Sequence, residues 1–168
     1  MPILNITVVK ENKKVSFNCL YDKGSQRSSF APQVLRNLNY NIKDVEPVTY
    51  NVNTFLGRKT KALKEVELTV LIEKNDITTS FFVDDDFGMD FKFEGFLKVL
   101  RNLANLKFKF AFTHDFSDHV QVQGLIGVDL IQCMIGAKMI RCMHGAAIEF
   151  PSGISPLGNS DGLYTQIK

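Results

Sequence analysis

A strand that runs directly into an acidic turn is the feature that most constrains this chain. The positions that would share one face of the strand are Val15, Phe17, Cys19 and Tyr21, and they alternate with Ser16, Asn18 and Leu20. This period of two is typical of a half-buried β-strand. The strand ends at Asp22-Lys23-Gly24-Ser25, where the glycine permits a sharp backbone turn and the close approach of another group.

Asp22 allows two interpretations. A carboxylate at the end of a strand, on a tight loop, is well placed for proton-transfer chemistry. An ordinary Asx or glycine turn between a strand and a helix would use the same residue types. The local pattern by itself favours the plain turn.

A longer stretch around this loop, Leu20 to Ala31, resembles the active-site loop of retropepsin-like aspartic peptidases. The resemblance is closest to the form in BEL/Pao-type retrotransposon polyproteins, where an apolar strand precedes Asp-Ser/Thr-Gly-Ser-Gln and then Ser-Phe. A second stretch, Leu125 to Ile131, is similar to the family's late element, an apolar-apolar-Gly-x-Asp/Asn strand that enters a helix. Order and spacing match the family from Ile3 to Phe150.

The resemblance implies a mostly β fold, a retropepsin-like closed β-barrel lobe with one or two short helices, which works as a two-fold homodimer. Asp22 would be the catalytic carboxylate, and a second copy would supply the other carboxylate of a pair that shares one proton. The active-site loop would consist of Lys23, Gly24 and Ser25, with Ser25 hydrogen bonding near the carboxylate. A polypeptide substrate or protein partner is expected, and no cofactor or metal.

Two further segments have roles in the resemblance. A substrate-binding flap would lie between Asn51 and Lys61, although a plain hairpin turn is the alternative because one glycine is a weak flap signature. At the tip of this flap we expect Phe55, Leu56 and Gly57. The residues of the supporting strand-to-helix element are Ile126, Gly127 and Asp129, and Asp129 is expected to cap the helix.

Lys23 departs from the family pattern. In the family, Ser or Thr hydroxyls at this position cross the dimer axis and hold the two loops rigid, whereas lysine has no acceptor. Two lysines at a buried axis would repel each other and lose hydration, and they would favour ionised carboxylates over a shared proton. Two functions therefore stay open: an aspartic endopeptidase that processes a retroelement polyprotein, or a domesticated inactive fold that acts as a dimerisation or protein-interaction module.

Composition sets broad bounds on the chain. Its 168 residues suit one domain with a real core, and a net charge of +2 is too mild to indicate a nucleic-acid or membrane partner. Three cysteines do not make a disulfide framework and favour a reducing compartment. Because the chain has no secretory apolar region and no run of about 18 apolar residues, we expect an intracellular location, cytoplasmic or nuclear.

The pattern along the chain predicts mostly strands. Strands are expected at 3–9, 45–52, 66–72, 77–83, 108–112, 125–128, 138–143 and 146–150, with a break in the pattern at 53–60. Short helices are expected after Pro32, with an apolar face, and over 96–103. The domain is expected to span 1–150, and the Gly-, Ser- and Pro-rich tail 151–168 to be flexible.

Two other segments contain residue types that could form a site. Ten of the fourteen phenylalanines lie between Phe81 and Phe116, and they could form a stacking platform for nucleic-acid bases. Core packing explains them better, because the basic charge needed to bind phosphates is slight. His114-Asp115 and Asp118-His119 could present metal ligands, but a polar connection between strands accounts for them without an ion.

Overall fold

The computed structural model describes residues 3–22, 24–54, 56–72, 76–85, 87, 89–92, 105, 109–113, 119–130, 138–142, 145–150 and 153–156. These residues are mostly β, as the sequence predicts. The strands are β1 (Ile3–Lys10), β2 (Lys13–Tyr21), β3 (Ser29–Phe30), β4 (Val48–Thr54), β5 (Gly57–Val70), β6 (Ile77–Val83), β7 (Met89–Lys92), β8 (His119–Val122), β9 (Gly124–Ile126), β10 (Lys138–Cys142), β11 (Gly145–Phe150) and β12 (Gly153–Pro156). One helix, α1 (Pro32–Asn37), follows β3.

Seven of these strands form one mixed sheet, in the order β1-β2-β9-β3-β6-β5-β4. Two pairs of neighbouring strands are parallel, β2 with β9 and β3 with β6, and the other pairs in this sheet are antiparallel. Strand β1 also pairs with β5, where Val8 lies opposite Val70. The other sheets are β10-β11-β12 and the hairpin of β7 and β8.

The core forms where the alternating faces of the large sheet meet α1. Residues Val66, Leu68 and Val70 of β5 are buried, which confirms the alternation predicted for this strand. Helix α1 begins with proline at its first turn, where a missing N–H costs nothing, and it buries Val34 and Leu35. The core-facing side chains from these elements also include Phe30, Leu38, Phe81 and Val83.

Asn18 is a buried polar residue on β2, and its side chain fixes the segment 109–113 to the sheet. Its Nδ2 donates to the carbonyl oxygen of Thr113 at 2.7 Å and of Gln121 at 3.3 Å. Its Oδ1 accepts from the Thr113 backbone N at 2.9 Å and from the Asn5 amide at 3.2 Å. Both polar ends of the side chain are therefore satisfied, as burial requires.

Three sequence predictions differ from the structure. Residues 109–113 do not form the predicted strand with an aromatic face: Phe110 makes one isolated bridge to Ile154, because this segment bonds to Asn5 and Ile154 rather than to a long partner strand. The predicted break at 53–60 is narrower, since β4 and β5 pair up to Thr54 and Gly57. The predicted tail begins with β12, which pairs with β11.

The N-terminal strand is joined to this C-terminal strand. The backbone N of Ile3 donates to the buried hydroxyl of Ser155 at 2.9 Å. The packed structure therefore extends past the boundary expected at residue 150. The helix predicted over 96–103 and residues 157–168 lie outside the described residues. In the part of the chain that is described, no helix has the length and apolar character needed to cross a membrane.

Asn18→Ala should lower the free energy of unfolding by about 2 kcal/mol, because it removes the buried amide that bonds the backbone N–H and carbonyl of Thr113. Urea unfolding followed by circular dichroism measures the change. Asn12→Ala, at an exposed turn position between β1 and β2, is the matched control and should cost less than about 0.5 kcal/mol. Equal losses in the two variants would contradict this role of Asn18.

Candidate functional site

The loop that follows β2 is held at both ends by backbone hydrogen bonds. The Asp22 N donates to the carbonyl oxygen of Ile126 in the parallel neighbour β9, at 2.9 Å. The Gly24 N donates to Asp22 Oδ1 at 2.9 Å, and the Ser25 N donates to the Asp22 carbonyl at 3.1 Å. The half-buried carboxylate therefore has a defined orientation at the end of the strand. Lys23 lies outside the described residues.

Ser25 contacts Asp22 through its backbone. Its hydroxyl donates to the carbonyl oxygen of Arg27 at 3.0 Å, within the loop. The side chain thus stabilises the loop two residues further on, and the hydrogen bond to the carboxylate comes from the Gly24 N instead. This differs from the bond near the carboxylate that the resemblance assigns to Ser25.

Gly127 packs directly against the backbone of the Asp22 loop. A Cβ atom at this position would lie 2.6 Å from the Ser25 carbonyl oxygen and 3.0 Å from the Arg27 N, closer than van der Waals contact allows. The Val128 N donates to the same Ser25 oxygen at 2.9 Å. The predicted supporting element, Ile126 and Gly127, therefore lies in contact with the loop.

Asp129 lies inside a short 3-10 turn over 128–130, and the residues of the helix that it is expected to cap, from 131 onward, lie outside the described residues. Its two carboxylate oxygens accept from the Ser28 N at 2.9 Å and from the Ser28 hydroxyl at 2.6 Å. Ser28 is fully buried, and its oxygen also accepts from the Gly127 N at 3.0 Å.

The hairpin of β4 and β5 lies where the flap is expected. Leu56 at its tip is 88% exposed, and Gly57 has φ +111°, a conformation that favours glycine. Phe55, the third predicted tip residue, lies outside the described residues. The structure brings the predicted tip to the end of a hairpin, and its role as a flap stays a prediction.

A groove of about 640 Å³ separates this hairpin from the Asp22 loop. Gly24 and Ser25 line it on the loop side, and residues 50–53 of β4 line it on the hairpin side. Phe82, Phe87 and Leu125 also line it, so that it offers apolar and polar surface together. Asp22 itself does not line the groove. Gly24 and Ser25, whose backbone N–H groups bond the carboxylate and the carbonyl of Asp22, do line it.

Arg27 connects the loop to the base of the hairpin. Its Nη2 lies 3.5 Å from Glu65 Oε1 and donates to the Ser80 carbonyl at 3.4 Å, and its Nε lies 3.8 Å from Asp129 Oδ2. The guanidinium also stacks on Phe82, 4.4 Å from the ring centroid. Arg27 is thus held by two carboxylates and one aromatic ring.

The Tyr50 hydroxyl of β4 donates to the same Glu65 oxygen that faces Arg27. This hydrogen bond, with the negative charge of Glu65, raises the pKa of Tyr50 above its ordinary value. No motif or periodicity in the sequence singles out Tyr50, Glu65 or Arg27 as site residues. Glu65 does alternate with buried Val66 on β5, which points it away from the core, but only the strand order shows what it meets there.

No group of three or more candidate metal ligands occurs among the residues that the structure describes. His114, Asp115 and Asp118 of the metal alternative lie outside them, and His119 stands on β8. Near the groove, Asp84 instead pairs with Lys61 at 3.5 Å.

Comparison with known proteins adds no family to this geometry. The chain matches no protein-family model, and a search of curated proteins found no match. A function has therefore to be argued from the Asp22 loop, the hairpin and the groove themselves.

Gly127→Ala should lower the free energy of unfolding by at least about 2 kcal/mol, because the new methyl group displaces the backbone of the Asp22 loop. Thermal unfolding followed by calorimetry measures the loss. Val128→Ala, at the next residue, removes a side chain that is 40% exposed and should cost less than about 1 kcal/mol. A Gly127→Ala variant as stable as Val128→Ala would show that the close contact is not required.

Proposed function

We propose that this chain is one lobe of a retropepsin-like aspartic endopeptidase of retroelement origin, whose site is completed by a second copy. The observation that carries the proposal is the fixed Asp22 loop, which ends β2, packs against Gly127 and borders a groove under the β4–β5 hairpin. A carboxylate at the end of a strand beside a groove that can hold a polypeptide is what this chemistry requires.

The strand pairings support the closed-barrel lobe that belongs to this proposal. Following the pairs β1-β2-β9-β3-β6-β5 and then β5 with β1 returns to the starting strand. A sheet closed in this way leaves β4 outside the ring, at the end of the sheet order. The hairpin of β4 and β5 can then extend from the lobe over the groove.

In the proposed reaction the two Asp22 carboxyl groups share one proton. The ionised carboxylate removes a proton from a water molecule, whose oxygen attacks the scissile carbonyl carbon, while the protonated carboxyl group donates its proton to the carbonyl oxygen. The carboxyl group that took the water proton then protonates the amine nitrogen and the C–N bond breaks, while a hydroxyl group of the tetrahedral intermediate gives its proton to the other carboxylate as the carbonyl re-forms. The products are a carboxylic acid and an amine, and the pair holds one proton again.

Lys23 favours a second candidate function. Two lysines next to the paired carboxylates stabilise their ionised forms and repel each other across the axis, which opposes both the shared proton and the dimer. A catalytically inactive fold that acts as a dimerisation or protein-interaction module has no such conflict. The two candidates share the fold and the groove, and they differ in whether any peptide bond is cut.

Asp22→Asn should abolish cleavage of a mixed peptide library at about pH 5, where a shared-proton pair can exist. We expect a loss of at least about 100-fold, because the amide cannot act as the base. Asp44→Asn, at an exposed turn residue before β4, removes the same charge and should leave cleavage unchanged. Cleavage that survives in Asp22→Asn would contradict the assigned role, and absence of cleavage in the unmodified protein would favour the inactive module.

Lys23→Thr should raise both cleavage and self-association, because it removes a like charge from the axis and restores a hydroxyl. Sedimentation equilibrium and the same peptide assay measure the two effects, and about tenfold tighter association corresponds to 1.4 kcal/mol. Lys14→Thr, on the β1–β2 hairpin, is the control for charge removal and should change neither. A Lys23→Thr variant that neither associates more tightly nor cuts peptides would contradict the peptidase and favour the module.

A further inference from the structure

Positive charge is concentrated on the hairpin that covers the groove. From Val48 to Lys64 the chain contains four basic residues, Arg58, Lys59, Lys61 and Lys64, and no acidic residue. Because the whole chain has a formal net charge of +2, the residues outside 48–64 sum to −2, with Glu65 and Glu67 further along β5 among them. The positive excess of the protein is therefore on the part of the hairpin nearest its tip.

Strand register places two of these cations on the groove side. Lys61 lies opposite Tyr50, and Lys59 lies opposite Val52. Residues directly opposite in an antiparallel pair share a face of the sheet. Tyr50, Val52 and Lys61 all line the groove, as do Asn51, Asn53 and Asp84, and Asp84 pairs with Lys61 at 3.5 Å. Lys59, which is exposed, stands on the same face as Lys61, two pairs closer to the tip, and is not itself a lining residue of the groove.

Arg27 presents a third cation to the groove from the loop side. Its side chain is 38% exposed and lines the groove, whereas its carboxylate partners Glu65 and Asp129 do not line it. Glu65 also accepts from the Tyr50 hydroxyl, and Asp129 accepts twice from Ser28. Among the described residues Nη1 of Arg27 makes no hydrogen bond, so that its two N–H groups can bind a carboxylate of a ligand.

We propose that the groove binds acidic polypeptide segments, and that Arg27 and Lys59 bind the carboxylates of those segments. This inference rests on the proposed function and adds to it the substrate class. A polypeptide fits better than a nucleic acid because β4 ends the sheet order within the described residues, and the free edge of such a strand can pair with an extended chain. The mild net charge of the whole protein also disfavours a phosphate backbone as the ligand.

Binding can be measured separately from cleavage. The probe is a fluorescent eight-residue peptide of alternating valine and glutamate, compared with the same peptide carrying glutamine, in anisotropy titrations of the full chain with Asp22→Asn. We expect the glutamate peptide to bind at least about tenfold more tightly, which is the discrimination of one good charged hydrogen bond. Equal affinities, or no binding of the glutamate peptide, would overturn the proposal.

Charge-removing variants test the two cations. Arg27→Gln should reduce the preference for glutamate to less than about twofold, and Lys59→Gln should reduce it by about threefold. Lys14→Gln, on a hairpin that contributes nothing to the groove lining, should leave the preference unchanged. Thermal unfolding shows whether Arg27→Gln folds. If it does not, the Lys59→Gln variant tests the proposal, and an unchanged preference for glutamate in that variant would overturn it.

Two further outcomes keep this inference distinct from the proposed function. If the unmodified protein cuts glutamate and glutamine peptides equally well through Asp22, the peptidase stands and the acidic preference is wrong. If the glutamate preference is present and depends on Arg27 while nothing is cut, the preference stands and the peptidase is wrong. A ten-residue oligothymidylate that binds more tightly than the glutamate peptide would overturn the inference in favour of a nucleic-acid ligand.

Discussion

The contact between Gly127 and the Ser25–Arg27 backbone is the constraint on which the candidate site depends. It joins two parts of the chain that are far apart in sequence, since Ser28 and its partner Asp129 are separated by 101 residues. Closing so long a loop costs conformational entropy, which the contacts made at this point must offset. The parallel pairing of β2 with β9 brings the two parts together, and the missing side chain of Gly127 lets the backbones touch.

Hydrogen bonds of Ser28 fix the relative position of the two backbones at this contact. Its buried hydroxyl accepts from the Gly127 N and donates to Asp129, so that one side chain of the loop segment bonds two groups of the turn segment. Arg27 connects this contact to the base of the hairpin, because its guanidinium lies between Asp129 of the turn and Glu65 of β5. The loop, the supporting turn and the hairpin are therefore one connected polar network bordering the groove.

Local patterns sufficed where neighbours along the chain determine the structure. The alternation of Val66, Leu68 and Val70 and the proline at the start of α1 predicted a strand and a helix that the structure confirms. They failed where the partner is distant: Phe110 looked like part of a strand, yet its segment bonds to Asn5 and Ile154. The contact of the groove residues Arg27 and Tyr50 with Glu65 was missed for the same reason, since it depends on strand order, which periodicity does not encode.

The positive charge of the β4–β5 hairpin affects the proposed dimer in the same direction as Lys23, which opposes both association and a shared proton. In the proposed dimer two Lys23 side chains and two cationic hairpins would lie near one axis, and their repulsion raises the free energy of association. An acidic polypeptide in the groove would offset that repulsion, and a ligand that binds the dimer better than the protomer shifts the equilibrium towards the dimer. Under both proposals, association and substrate binding are therefore linked. The complete site would then depend on an acidic substrate, which would reconcile a lysine in the loop with a working carboxylate pair.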